Sequence, residues 1–211
     1  MTTLTAELND ITASMPPEIG DRITSGVVDV TSSGVAPGPA VGDVAPGFGL
    51  KDAVGNQVEL ADLLTEGPVV VTFYRGEWCP YCNLQLRALQ EALPEITATG
   101  AALVAISPQA QDQGLTMTEK HELAFPVLGD VEQTVSEAYK VRFDVTGELE
   151  DLQVNVFQND PAQQNANGRR SLPVPSTFII DRDGTVKFAY VEADWRVRVE
   201  PADVVAALKT L

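Results

Sequence analysis

Cys79 and Cys82 are the only cysteines in the 211-residue chain, set three positions apart in Arg75-Gly76-Glu77-Trp78-Cys79-Pro80-Tyr81-Cys82. Across one helical turn that spacing brings two sulfurs within disulfide reach, so the pair can cycle between dithiol and disulfide. Pro80 suits the first turn of a helix, where its missing N–H has no intrahelical partner. Cys79 is then expected at the helix N-terminus, where unpaired N–H groups and the helix dipole favour an anion. The thiolate is the reactive form of cysteine, and such a place lowers its pKa from about 8.5 to about 3.5–7.5. Arg75 adds positive charge and Glu77 partly opposes it. Glu77 could also move a proton for Cys82, although a solvated charge is the plainer reading. Trp78 and Tyr81 flank the thiols, either as an apolar surface for a partner or as ordinary loop packing. Position favours Cys79 as the more exposed, attacking sulfur, with Cys82 resolving the mixed disulfide.

The surrounding residues must hold this pair. Val69 to Tyr74 is a near-continuous β-branched and aromatic run, the pattern of a strand buried on both faces. Leu84, Leu86, Leu89, Leu93 and Ile96 form a helical face after the cysteines. Ala101 to Ile106 predicts a second buried strand, 111–123 a helix, Pro126 to Leu128 a short strand and Val131 to Tyr139 a further helix. Phe48 to Lys51 and Gln57 to Leu60, around Val54-Gly55-Asn56, predict a small hairpin. Thr177 to Asp181, the Asp183-Gly184 turn and Val186 to Val191 predict an antiparallel one, and Pro201 to Leu208 a closing helix. The polar stretch 142–172 reads as a long loop or insertion. The expected class is α/β, a mixed central sheet flanked by helices. Residues 1–40 read as a helical arm and linker ahead of a body at 41–211. Leu4, Leu8, Ile11 and Met15 form one helix face ended by Pro16 and Pro17, Ile19, Ile23 and Val27 a weaker second, and Thr31 to Pro39 a linker.

Composition narrows the chemistry. With 14 basic against 30 acidic side chains the net charge is −16, so nucleic-acid and anionic-membrane partners are not expected. No apolar run approaches the roughly 20 residues of a membrane span. The first ten residues carry neither a basic residue nor an apolar stretch, so no secretory signal is read there and a cytoplasmic location is expected. A lone His, His121, rules out multi-histidine metal sites, and a zinc site would lack ligands. His121 itself reads as a surface residue. No cofactor or metal is expected. Asp194-Trp195-Arg196-Val197-Arg198 could place an arginine near the thiols or form a surface salt bridge.

Several motifs together resemble the thioredoxin superfamily, and over 41–211 its peroxiredoxin-like (AhpC/TSA) branch. Val41-Gly42-Asp43-Val44-Ala45-Pro46-Gly47-Phe48 resembles the peroxiredoxin opening, Phe125-Pro126-Val127-Leu128-Gly129-Asp130 its F-P-L-L-x-D, and Ser176-Thr177-Phe178-Ile179-Ile180-Asp181 its T-F-I-I-D strand. Val174-Pro175-Ser176-Thr177 resembles the thioredoxin segment bearing a cis-proline, which implies a cis Pro175 shaping the substrate groove with Ser176 beside it. A peroxiredoxin site reads Pro-x-x-x-Thr-x-x-Cys; here Arg75 stands at the Pro, Cys79 at the Thr and Cys82 at the peroxidatic Cys. Pro175-Ser176 occupies the region of the family's distant arginine. Arg75, Arg169, Arg170 and Arg198 are the candidates to replace that arginine in space. A thioredoxin-type pair on a peroxiredoxin chassis is similar to the peroxiredoxin-like 2 proteins.

The resemblance implies a thiol–disulfide oxidoreductase cycling Cys79 and Cys82 in antioxidant or thiol redox homeostasis. It also implies an alternative, a peroxidase with Cys82 peroxidatic and Cys79 resolving. The implied partners are a disulfide or hydroperoxide substrate, thioredoxin or a low-molecular-weight thiol as reductant, and by analogy a homodimer. A thioredoxin-fold binding or assembly subunit is the alternative of another class.

Overall fold

Alternate residues of a strand face opposite sides, and in this chain both sides of the central sheet are covered. The computed structural model describes residues 3–34 and 36–211; Met1, Thr2 and Val35, the last inside the expected linker, lie outside them. In chain order the elements are α1 (Leu4–Ala13), α2 (Pro17–Ser32), β1 (Gly49–Asp52), β2 (Gln57–Glu59), α3 (Leu60–Glu66), β3 (Val69–Phe73) and α4 (Pro80–Ala98). Then come β4 (Ala102–Ser107), α5 (Gln111–His121), β5 (Val127–Gly129), α6 (Thr134–Ala138), β6 (Arg142–Asp144) and α7 (Gly147–Asp151). A π-helical turn (Leu152–Val156) leads to α8 (Pro161–Gln164), β7 (Ser171–Pro173), β8 (Ser176–Ile180), β9 (Val186–Val191) and α9 (Pro201–Leu208).

Seven strands form one sheet in the order β2-β1-β5-β4-β3-β8-β9. β3 pairs parallel to β4 and antiparallel to β8, with Phe73 opposite Ser176. The sheet is mixed, as the sequence predicts, and the 57–59 and 186–191 hairpin arms fall where expected. Val69, Val71 and Phe73 point to one core layer with Tyr139 and Phe178, and Val70 points to the other with Leu86, Leu89 and Ile96 of α4. This is why β3 reads as a continuous apolar run: all five of its residues are buried.

One expectation needs correction. The stretch 142–172 is not a bare loop. β6 and β7 pair as a small second sheet, and α7, the π-helical turn and α8 fill the connection. Its polar residues bond within it: Asn165 Nδ2 donates to the carbonyls of Arg169 and Ser171, each at 2.7 Å. The arm, read as packing on the core or on a second subunit, packs on the core. Leu4, Leu8 and Ile23 are buried in the same core layer as Cys79 and Cys82. As the sequence predicts, the first helix ends ahead of Pro16 and Pro17 and a second follows, with Pro17 opening α2 at a position where no N–H is needed.

Candidate active site

The strand-to-helix junction after β3 positions both sulfurs. Pro80 is the first residue of α4 and Cys79 its N-cap, as the sequence implies, which puts Cys82 within the first turn. Asn83 ties the junction down: its Nδ2 donates to the carbonyls of Glu77 (2.7 Å) and Cys79 (2.8 Å). Its Oδ1 lies 2.7 Å from His121 Nε2, so His121 braces this loop rather than standing free at the surface. Burial and the nearby Lys120 and Arg87 charges lower the His121 pKa below its ordinary value. Glu77 is fixed through its backbone N–H to Gln109 Oε1 at 2.6 Å. None of the described hydrogen bonds or ion pairs uses its carboxylate.

Both thiols are free and fully buried, 0% exposed. The expected exposure of Cys79 is therefore overturned, because α1, α2 and the segment around Trp195 cover the junction. Two guanidiniums accompany them, each only 4% exposed. Arg75 Nη1 lies 3.9 Å from Cys79 Sγ, and Arg198 Nη2 lies 3.6 Å from Cys82 Sγ. Neither guanidinium has an ion-pair carboxylate among the described residues. Arg75 is instead sandwiched between the rings of Trp78, at 4.8 Å, and Trp195, at 4.4 Å. Such contacts stabilise a desolvated cation by about 2 kcal/mol each. Arg198 is aimed by its donors: Nε to Gln85 Oε1 (2.7 Å), and Nη1 to the carbonyls of Val197 (2.6 Å) and Trp195. Gln85 Nε2 in turn donates to Thr72 Oγ1 (3.3 Å), and Thr72 to the Ser176 carbonyl (3.2 Å). The Arg198 orientation is thus locked to β3 and β8.

The charge falls on the opposite sulfur from the one expected. Burial alone would raise the Cys82 pKa. The hydrogen bond from the Cys79 thiol, the Arg198 and Arg75 charges and a bond from the Arg75 backbone outweigh it and hold Cys82 at about 5. Cys79 moves well above the ordinary thiol range, because burial, its bond to Cys82 and the Cys82 charge outweigh the two arginines. The pair holds one thiolate, centred on Cys82, with Cys79 as its proton donor.

A cavity of about 360 Å³ opens over the junction. Met15, Ile23, Trp78, Tyr81, Phe157 and Trp195 supply its apolar wall, and Arg75 and Cys79 also line it. Cys82 does not reach it. Tyr81 also anchors the arm, its hydroxyl 3.1 Å from Thr12 Oγ1.

Of the four arginines weighed as substitutes, the structure brings Arg75 and Arg198 to the thiols. Arg170 is engaged with Asp160 and Glu150 at the surface, and Arg169 is exposed. Pro175 and Ser176 do not line the cavity. The Val174–Pro175 bond is trans, since no described peptide bond is cis, so the expected cis-proline is corrected. Val174 donates to the Val141 carbonyl (2.7 Å) and the Pro175 carbonyl accepts from Glu192 (3.4 Å). The chain therefore runs extended from β7 straight into β8, with no turn for a cis bond to make. Sequence reading missed Gln85, Thr72 and Asn83. A Gln on the inner face of an amphipathic helix and a Thr within an apolar strand are the signals that could have marked the first two.

A mixed sheet with a thiol pair at a strand-to-helix junction, charged by buried arginines, defines a thioredoxin-fold thiol oxidoreductase. Residues 41–189 match the AhpC/TSA family. The chain belongs to that family, and it is an enzyme of thiol-dependent redox chemistry. A Mycobacterium tuberculosis H37Rv protein assigned by name to the peroxiredoxins is 32% identical over 148 residues, covering 70% of this chain and 82% of that one. The chloroplastic peroxiredoxin Q of Sedum lineare is 27% identical over 149 residues, 71% of this chain and 67% of the relative. Among solved structures, peroxidoxin BcpB of M. tuberculosis superposes with a TM-score of 0.64 at 22% identity, covering 81% of this chain and 97% of that one. That likeness confirms the thioredoxin-like fold. Arg198, Trp195, Met15 and Ile23 all lie outside the matched stretch 41–189.

Proposed function

We propose that this chain is a thiol-dependent peroxidase in which Cys82 is the peroxidatic cysteine and Cys79 the resolving one. The contact of the Arg198 guanidinium with Cys82 Sγ carries the reading. It supplies, from another segment, the positive charge whose usual position is taken by Pro175. Membership of the AhpC/TSA family, with its peroxide substrates and thioredoxin-type reductants, supports the same reading.

The Cys82 thiolate attacks the terminal oxygen of a hydroperoxide, the O–O bond breaks, and the departing alkoxide takes the Cys79 proton to leave as an alcohol. Arg198 and Arg75 stabilise the negative charge as it moves onto oxygen. Cys79, now a thiolate beside the Cys82 sulfenic acid, attacks its sulfur. The S–S bond forms and hydroxide leaves, to be protonated by solvent. Two external thiol equivalents restore the dithiol. A second reading, disulfide exchange begun by Cys79, is favoured by one observation: only Cys79 lines the cavity. The assembly-subunit alternative has no such support.

Stopped-flow tryptophan fluorescence of the reduced chain against hydrogen peroxide and an alkyl hydroperoxide tests the assignment. Cys79→Ser should still oxidise rapidly and stop at a sulfenic acid that dimedone traps. Cys82→Ser should react no faster than a free thiol. Fast oxidation that survives in Cys82→Ser and vanishes in Cys79→Ser would overturn the assignment.

A further inference from the structure

The buried charges around the thiols do not balance. Arg75 and Arg198 are both buried, and the pair of sulfurs supplies one thiolate, which leaves one positive charge in excess. The charges that act on Arg75 are those of the two cysteines and Arg198, with no carboxylate among them. A charge held out of water is costly unless a counter-charge or hydrogen-bond acceptors meet it. Trp78 and Trp195 give Arg75 aromatic faces but no anion.

Arg75 is the cation that a ligand can meet, because it lines the cavity and Arg198 does not. Among the described residues its one polar contact is Nη1 to Cys79 Sγ at 3.9 Å, and its Nε has no partner. The two indole rings cover the faces of the guanidinium, so its N–H edge is what remains to bind. A carboxylate matches such an edge with two parallel hydrogen bonds. A second donor stands in the wall. Gln153 is 3% exposed, its Oε1 accepts from Asn159 Nδ2 at 3.3 Å, and no described hydrogen bond uses its Nε2. Although the chain carries 30 acidic side chains, no Asp or Glu is among the described residues that line this cavity.

We propose that the cavity binds an apolar monocarboxylate, its carboxylate on the Arg75 guanidinium and its hydrocarbon body against Met15, Ile23 and Phe157. At about 360 Å³ the space is that of a small-ligand site. One negative charge matches the one positive charge in excess, whereas a dianion would overshoot it. The mouth lies at the surface, where Pro80 and Phe157 are exposed and Met15 and Asn159 half-buried, so the ligand enters without having to reach either sulfur. Met15 and Ile23 belong to the arm, outside the family-matched stretch, so the apolar end of the site is a property of this chain. The proposal goes beyond the peroxidase reading and does not depend on it.

The test is isothermal titration calorimetry of the full-length chain, kept reduced with dithiothreitol, against octanoate, octanol, octylamine and acetate. Octanoate should bind saturably and about tenfold or more tighter than octanol, the effect of a charged hydrogen-bonded pair. Acetate has the charge without the body and octylamine the body with the wrong charge, so both should bind more weakly than octanoate. In Arg75→Met the octanoate-to-octanol ratio should fall toward one. Phe157→Asp, at an exposed position of the rim, should weaken octanoate more than octanol by placing a like charge beside it. Each ratio is internal to one protein, so a loss of overall stability does not mimic the change. Octanol binding as tightly as octanoate would overturn the proposal, as would acetate binding as tightly, the absence of saturable octanoate binding, or a ratio unmoved in Arg75→Met. No hydroperoxide enters the titrations, so this proposal and the peroxidase reading can fail separately.

Discussion

Arg198→Met removes the guanidinium beside Cys82 and leaves a side chain of similar reach. At an effective dielectric of about 20, unit charges at the observed separation of 3.6 Å interact by about 4–5 kcal/mol. Arg75 stays in place and water enters the vacated space, so about half of that, about 2 kcal/mol, is the expected loss. At 1.36 kcal/mol per unit this is about 1.5–2 pKa units. The thiolate centred on Cys82, held at about 5 in the parent, should then titrate near pH 7. At pH 6 the thiolate fraction would drop from about nine-tenths to about one-tenth, and alkylation by iodoacetamide would slow about tenfold. The assay is thiolate absorbance at 240 nm against pH, with the alkylation rate as a second readout. Arg198→Lys keeps the charge but loses the fork that meets Gln85 and the Trp195 and Val197 carbonyls, so its shift should be smaller. A shift below about half a unit in Arg198→Met would refute the claim that Arg198 sets the charge of the pair.

Other outcomes follow from the same geometry. The Cys82 value of about 5 lies below the unfolded thiol value of about 8.5, so its stabilising contribution is whole above the latter and is lost as pH falls toward 5. Cys79, raised instead, contributes below about 8.5 and loses that contribution at higher pH. The urea midpoint of the reduced chain should therefore climb from pH 5 to about 8.5 and then fall, and Cys82→Ser should flatten the climb. Gln85→Leu leaves Arg198 Nε without its partner and should cost about 1–3 kcal/mol by denaturant titration, with a rise in the thiolate pKa that a purely structural role would not produce. Tyr81→Phe removes the bond to Thr12, a loss of about 1 kcal/mol, and should speed amide exchange in α1 while leaving the sheet unchanged.

The thiol site was readable because its determinants are local. Cys79, Pro80 and Cys82 sit on one turn, and Val69–Phe73 announces its burial by composition. The second arginine was readable only as a possibility. Arg198 lies 116 positions from Cys82, and nothing between them states that the chain after β9 folds back over α4. The charge assignment failed for a related reason. The helix N-terminus acts on both sulfurs, and what separates them is a hydrogen bond between the thiols and a contact from a distant loop. Exposure of Cys79 failed because the sequence does not say where on the core the arm at 1–40 packs, and it packs over the thiols. Leu4, Leu8 and Ile23 have the spacing of a helix face, but the spacing does not say that the face completes a core. The stretch 142–172 was misread because polar composition signals a loop, whereas here the polar groups satisfy one another inside folded elements.

The exchange of arginine position is what electrostatics permits. A thiolate in a medium of low dielectric needs positive charge within a few ångströms, and Coulomb attraction does not depend on which segment delivers it. What does matter is that the donor be held before the chemistry begins, since a charge that must be ordered during the reaction contributes less. The loop after β9 meets that condition twice. Asp194 and Arg196 pair at 2.7 Å within it, and Arg196 also donates to the Gly20 carbonyl (3.3 Å) and Thr24 Oγ1 (3.0 Å) of α2. With the loop pinned at Arg196, Trp195 on one side stacks on Arg75 and Arg198 on the other reaches Cys82. The arm is therefore coupled to the thiolate through Arg196, although none of its described polar contacts reaches either sulfur. Loosening α2 should release Trp195 and Arg198 together, raising the pKa of the pair and widening the cavity over Cys79 in the same step.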